Sequence, residues 1–217
     1  MDTVRNNLEK HQQYSKEYSR LNKALNLGFY LEAVAIDYAI IEDRLVAFLH
    51  YAGIVSRSNP SLKVNKQVYP YMRKLLQKGP TDNIKVKDIS VKMELIRALL
   101  SLTEAEATQI DIDVAEYATT TGRTRHFVKE GYMLDLYKLV NERINKKSII
   151  TIFDDLNAWK FDRNNLIHAL LNKTASSSEE TKRTCAYHGY DIAREIDDML
   201  VKPFKENNNI RRKYRIQ

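Results

Sequence analysis

Apolar residues recur every three or four positions through most of the 217-residue chain, a spacing that places them on one face of an α-helix. Only 6 Gly and 4 Pro interrupt these patterns, which also favours helices over sheets. The sequence therefore predicts an all-α fold, with helices over 3–27, 29–51, 88–102, 103–121, 133–144, 148–173 and about 176–201, and a short helix over 71–78.

The predicted helix over 29–51 is apolar nearly all round, so we expect it to be central in a helical bundle. It nevertheless carries Asp37, Glu42 and Arg44. Charged groups on a buried helix need partners. Arg163 is a candidate partner for Asp37 or Glu42.

An irregular inserted region follows at 52–87, where prolines and glycines interrupt the periodicity. Its basic residues either line a path for nucleic acid or are solvated. The last helix is predicted to start at two capping boxes, in which Ser176 precedes Glu179 and Ser177 precedes Glu180. Its inward residues are expected to be Cys185, Ile192, Ile196 and Met199.

The chain carries a formal net charge of +7, which favours a polyanionic partner. Much of the excess lies in a basic C-terminal segment, 203–217, that either contacts nucleic acid, with Tyr214 stacking on a base, or is a solvated and partly disordered tail. The candidate RNA-binding residues in it are Arg211, Arg212, Lys213 and Arg215.

A length of 217 residues allows one or two domains, and we expect a single all-helical domain over 1–217. The start of the sequence has no apolar signal region, and no apolar run is long enough for a membrane span, so we expect a cytoplasmic protein. The single cysteine, Cys185, allows neither an internal disulfide nor a thiolate metal cluster. No phosphate-binding glycine loop, nucleophile elbow or dinucleotide fingerprint is found, which argues against the corresponding enzyme classes.

Within 148–173 the predicted buried face is interrupted by polar residues at 162–165. Arg163 projects from the middle of the apolar arc, where an unpaired charge is costly. Asn164 and His168 lie one turn apart at its edge. The rest of the buried arc comprises Ile149, Ile152, Phe153, Leu156, Trp159, Leu166, Ile167, Leu170 and Leu171.

The hexapeptide at 163–168, Arg-Asn-Asn-Leu-Ile-His, resembles the motif of HEPN-domain proteins, in which a polar residue follows an Arg and a His lies a few positions beyond it on a late helix. The resemblance implies an up-and-down helical bundle with this motif on the penultimate helix. It also implies a metal-independent endoribonuclease without a cofactor, typically a toxin or antiviral-defence effector. Two motifs of a homodimer would form its active site.

Arg163, Asn164 and His168 are then the candidate catalytic residues, and Asp37, Glu42 and Asp162 are candidate supporting residues. Histidine suits proton transfer to or from RNA at neutral pH, and arginine suits the charge that develops on phosphate oxygens. RNA, a second copy of the chain and an antitoxin or regulatory protein are the expected partners. A toxin branch of the family has Tyr two residues after the His, where this chain has Leu170.

Two alternatives of other classes stay open. The first is a catalytically silent helical module that dimerises or binds RNA or a nucleotide through the same groove. The second is a helical interaction protein without a role in nucleic-acid binding.

Overall fold

The computed structural model describes residues 2–56, 63–79, 84–122, 130–172 and 178–216. In these ranges the regular elements are all helical and no strand forms, which confirms the predicted all-α fold. None of the described helices combines the length and apolar character needed to cross a membrane. The helices are α1 (Asp2–Asn26), α2 (Tyr30–Tyr51), α3 (Tyr69–Leu75), α4 (Ile89–Ser101), α5 (Glu104–Thr120), α6 (Tyr132–Arg143), α7 (Lys146–Asn172), α8 (Glu179–Ile196), α9 (Lys202–Lys205) and α10 (Ile210–Lys213), with a π-helical turn over Asp197–Val201.

The chain divides into two compact units. Unit 1 consists of residues 1–43 and 152–195, and unit 2 consists of residues 44–151 and 196–217. Unit 1 therefore contains α1, nearly all of α8, and the adjoining parts of α2 and α7, including the hexapeptide at 163–168. The prediction of a single domain stays a prediction.

The core of unit 1 is built on Trp159, which is fully buried and donates a hydrogen bond from Nε1 to the Cys185 carbonyl oxygen at 2.8 Å. Gly189 allows this close approach of α7 to α8. A Cβ at Gly189 would lie 2.7 Å from Cζ2 of Trp159 and 2.9 Å from Oδ2 of Asp37. Further buried residues of this core are Leu21, Leu25, Val34, Ile40, Ile41, Ile152, Phe153, Leu156, Leu166, Ala186 and Ile192.

Unit 2 packs around the end of α2, where the five consecutive residues 45–49 are all buried. The helix is apolar on every side here, as its sequence predicted. Asp111 joins the two neighbouring helices α5 and α6, since its buried carboxylate accepts hydrogen bonds from the backbone N–H groups of Met133 and Leu134 at 3.0 and 2.9 Å. A capping box of Thr103 and Glu106 starts α5.

The inserted region is more ordered than its prolines predicted. It contains α3, close to the predicted short helix, and two isolated antiparallel bridges, Val55 with Val64 and Lys63 with Lys85. Val55, Val64 and Val86 are buried while Lys63 and Lys85 are exposed. Apolar and basic residues alternate over 84–87, which is the pattern of a half-buried extended segment. The prediction of an irregular loop did not take this alternation into account.

Two predictions for the end of the chain were wrong, the inward position of Met199 and the solvated tail. Met199 is 44% exposed, not inward, because the π-helical turn shifts the inward face to Leu200 and Val201. The segment 203–216 is not a solvated tail, since Tyr214 and Ile216 are each 6% exposed. Pro203 lies in the first turn of α9, where proline is tolerated.

The start of α8 lies one residue beyond the predicted capping boxes. The Ser178 hydroxyl accepts a hydrogen bond from the Thr181 backbone N–H at 3.1 Å. The serines of the predicted boxes, Ser176 and Ser177, lie outside the described residues.

Candidate functional site on α7

The apolar face of α7 carries the polar hexapeptide, and its burial follows the predicted pattern. Ile149, Phe153, Leu156 and Trp159 are fully buried, and Leu166 is 3% exposed. Ile167 is half-buried, and the side chains of Leu170 and Leu171 lie outside the described part of the structure. The helix is thus held along its length by one stripe, and the opposite face is exposed.

Arg163 is half-buried, and two neighbours hold its guanidinium. Its Cζ atom lies 4.3 Å from the centroid of the Tyr38 ring on α2, and its Nη1 donates to Oδ1 of Asn164 at 2.9 Å. An arginine over an aromatic face is stabilised by about 0.5–2 kcal/mol, depending on desolvation. The Nε atom of Arg163 is buried without a hydrogen-bond partner among the described residues. The side chain is therefore restrained while one donor is unused.

Asn164 and His168 are both exposed and lie four residues apart, so they share one line on α7 as predicted. The hydrogen bond from Arg163 occupies Oδ1 of Asn164. In this conformation Asn164 orients Arg163 and not the imidazole of His168. His168 makes no hydrogen bond or ion pair with another described residue, which leaves its ring accessible to a ligand or a second chain.

Asp37 does not pair with Arg163, although it was one of the two predicted partners of that arginine. The carboxyl of Asp37 is fully buried, and neither oxygen has a hydrogen-bond partner in the described ranges. Burial, together with the nearby carboxylate of Asp191, raises the pKa of Asp37 to about 8. A salt bridge to arginine would have lowered it. Asp37 is therefore mostly protonated in the folded protein at neutral pH.

The other two candidate supporting residues occupy different environments. Glu42 is half-buried on α2, and Asp162 is exposed on α7. Burial, followed by the carboxylates of Asp162 and Asp37, raises the pKa of the Cys185 thiol to about 11. Because only the thiolate is a good nucleophile, Cys185 is a packing residue.

The four candidate RNA-binding residues of the C-terminal segment divide into two pairs. Arg211 is part-buried, and its Nη1 lies 3.2 Å from the carbonyl oxygen of Val55. The Lys213 ammonium pairs with Asp135. These two residues anchor the segment in unit 2, whereas Arg212 and Arg215 are exposed and form no ion pair with another described residue.

Phe161 lies on the exposed face of α7 and was not among the predicted site residues. Its side chain is 67% exposed, more than any other large apolar side chain of the described residues. It lies three residues before Asn164 and seven before His168, so all three share one face. The sequence could have indicated this residue, because Phe161 is an aromatic residue that falls outside the predicted apolar arc. Its exposed ring is available for contact with another molecule.

No protein-family model matches this chain, and neither a curated protein nor a solved structure is detectably similar to it.

Proposed function

We propose that the protein is a metal-independent endoribonuclease whose active site is formed by Arg163, Asn164 and His168 of two copies of the chain. The observation that carries the proposal is the arrangement on α7, where a restrained, half-buried arginine bonds to Asn164, and Asn164 lies one turn before an exposed histidine. The choice of RNA as substrate comes from the resemblance of the hexapeptide to HEPN proteins.

The chemistry uses the nucleophile that RNA itself contains. The imidazole of His168 in one copy removes the proton from a 2′-OH, and the oxygen attacks the adjacent phosphorus. The bond from phosphorus to the 5′ oxygen breaks, and His168 of the other copy, in its protonated form, donates a proton to that oxygen. The products are a 2′,3′-cyclic phosphate and a 5′-OH, so water is not consumed in this step.

Arg163 stabilises the negative charge that gathers on the non-bridging oxygens during this attack. Its guanidinium is permanently charged and offers a planar set of donors. Contact with Tyr38 and Asn164 restrains that group before the substrate binds, which lowers the cost of orienting it. Asn164 is therefore a positioning residue for Arg163.

A second copy of the chain is proposed because one hexapeptide supplies one histidine, whereas the reaction uses both a base and an acid. The exposed line formed by Asn157, Phe161, Asn164 and His168 is uncharged, and Asp154 and Lys160 border it. Interface cores are depleted of charge and enriched in aromatic residues. A two-fold axis at this face would pack Phe161 against Phe161 and bring both histidines into one groove.

The resemblance further suggests a toxin or antiviral-defence effector, restrained by an antitoxin or regulatory protein. This role is proposed on the resemblance alone, because a fold does not determine a biological role.

The proposal is tested by incubating the purified full chain with a mixed RNA pool in EDTA and analysing the product ends. Arg163→Ala and His168→Ala should each lose at least 100-fold in rate, since a donor that stabilises transition-state charge typically contributes about 10²–10³ and a general acid–base group about 10²–10⁴. Matched controls are Arg183→Ala, which removes an exposed arginine near Tyr187, and His188→Ala, which removes an imidazole paired with Asp155. Both controls should keep wild-type activity.

Wild-type protein that binds RNA without cutting it, with binding unaffected by His168→Ala, would replace the nuclease by the silent binding module. Dimerisation is tested separately by sedimentation. Phe161→Glu should give monomers without activity, and Phe29→Glu, which changes a Phe that is 56% exposed elsewhere in unit 1, should change neither property. A monomeric wild type that cuts RNA would refute the two-copy site.

A further inference from the structure

Only one of the two units carries a net positive charge. Unit 1 contains 11 Lys and Arg against 14 Asp and Glu, and unit 2 contains 24 against 14. The net charges are thus −3 and +10, which together give the +7 of the whole chain. The proposed catalytic residues lie in the unit that is slightly acidic. Unit 2 is therefore the unit that attracts a polyanion.

Within unit 2, the inserted region places two lysines directly opposite each other. Lys63 and Lys85 face one another across an antiparallel bridge, and both are exposed. Side chains at such positions leave the backbone on the same face, with Cβ atoms about 5 Å apart, and like charges there repel. Lys87 lies two residues beyond Lys85 and is exposed as well. This repulsion is relieved when an anion binds between the ammonium groups.

The C-terminal segment lies against the same region. The Gln67 side chain donates a hydrogen bond to the Arg215 carbonyl oxygen at 3.3 Å, and Arg211 reaches the carbonyl oxygen of Val55. The side chain of Ile216 packs on Gly53, where an added Cβ would lie 2.5 Å from its Cδ1 atom. Two basic stretches that are about 150 residues apart in the chain thus meet in unit 2.

Six exposed basic residues of these two stretches are Lys63, Lys66, Lys85, Lys87, Arg212 and Arg215. None of the six forms an ion pair with another described residue, unlike Lys74, which pairs with Asp113, and Lys202, which pairs with Asp197. Arg215 also has a φ of 51°, a backbone conformation that residues other than glycine rarely adopt. Strain of this kind is often retained at functional positions.

We infer that these six residues form a basic surface in unit 2 that binds the phosphate backbone of single-stranded RNA. Lys85 and Lys87 are spaced along an extended segment by about 7 Å, a separation suited to successive phosphates of an extended strand. Ammonium groups bind phosphates as point charges without reading bases, so binding is independent of sequence. The choice of RNA over other polyanions rests on the proposed function. Binding by this surface and cleavage by α7 use different residues and can be separated.

The test measures binding in EDTA with the full chain carrying His168→Ala, so that the probe is not cut. The probe is a fluorescein-labelled 20-nucleotide oligouridine, followed by fluorescence anisotropy from 50 to 200 mM salt. In this background, Lys63→Gln with Lys85→Gln should weaken binding about 25-fold at 0.1 M salt, roughly fivefold for each phosphate that the protein no longer neutralises. The slope of log K against log salt should become shallower by about 1.4. The control pair, Lys16→Gln with Lys23→Gln, removes two exposed lysines of α1 and should change neither quantity.

Equal weakening by the two pairs, an unchanged salt slope, or absence of RNA binding in the His168→Ala background would overturn the inference. Binding to vesicles of phosphatidylserine but not to the oligouridine would also overturn it, in favour of a membrane surface. Wild-type protein that binds oligouridine through Lys63 and Lys85 and yet cuts no RNA would refute the nuclease proposal while leaving this surface in place.

Discussion

The buried carboxyl of Asp37 makes the stability of the protein depend on pH in a direction that can be worked out from the structure. Its folded pKa of about 8 lies far above the value of about 3.9 expected in the unfolded chain. The folded protein therefore holds a proton that the unfolded chain releases. Stability from this group is complete below pH 4, falls as the pH rises, and levels off above pH 8.

Between those limits the loss is about 1.4 kcal/mol for each pH unit. From pH 5.5 to 7.5 the contribution of Asp37 falls by about 2.5 kcal/mol, after allowance for partial ionisation near pH 7.5. Asp37→Asn keeps the shape of the side chain and removes the titration. The unfolding free energy of the variant, relative to wild type, should therefore rise by about 2.5 kcal/mol across this range.

The assay is urea unfolding at several pH values, followed by the fluorescence of Trp159. Trp159 is the only tryptophan of the chain, and it lies beside Asp37 at Gly189. Asp191→Asn is the matched comparison, because loss of this neighbouring carboxylate should lower the pKa of Asp37 and end the decline at a lower pH. A constant difference between Asp37→Asn and wild type from pH 5.5 to 7.5 would mean that Asp37 is ionised in the folded protein. It would then require a cationic partner such as Arg163, and the environment described here would be wrong.

Three further changes test other parts of the structure. Gly189→Ala should lower the unfolding free energy by about 1–2 kcal/mol in urea titrations, because the new methyl group overlaps the rigid Trp159 ring; an unchanged midpoint would contradict this. Tyr38→Leu should lower kcat for RNA cleavage about 5- to 30-fold with little change in KM, since it removes the aromatic support of Arg163, while Tyr38→Phe retains activity. Lys85→Glu should raise Tm by about 1–3 °C in calorimetry, because an ion pair across from Lys63 replaces a repulsion, and it should weaken RNA binding; an unchanged or lower Tm would contradict the predicted pairing.

Much of the helical structure could be predicted because periodicity is a local property. The stripe from Ile149 to Leu166 on α7 depends on residues three or four positions apart, and it is present in the structure. The same periodicity placed Arg163, Asn164 and His168 correctly relative to one another. It carried no information on the residues from other helices that contact them, such as Tyr38 beneath Arg163.

The sequence by itself determined the all-α class, the order of the long helices and the shared face of Asn164 and His168. Only the tertiary structure decided which charges are paired: Arg44 contacts Asp197 at 2.8 Å, whereas Asp37 is left without a hydrogen-bond partner among the described residues. It also decided that the C-terminal segment packs in unit 2, that two short helices follow α8 so that α7 is not strictly penultimate, and that Lys63 faces Lys85. The physical reason is that these contacts join residues from 22 to more than 150 positions apart. Their formation depends on how buried faces fill space together, which local spacing does not encode.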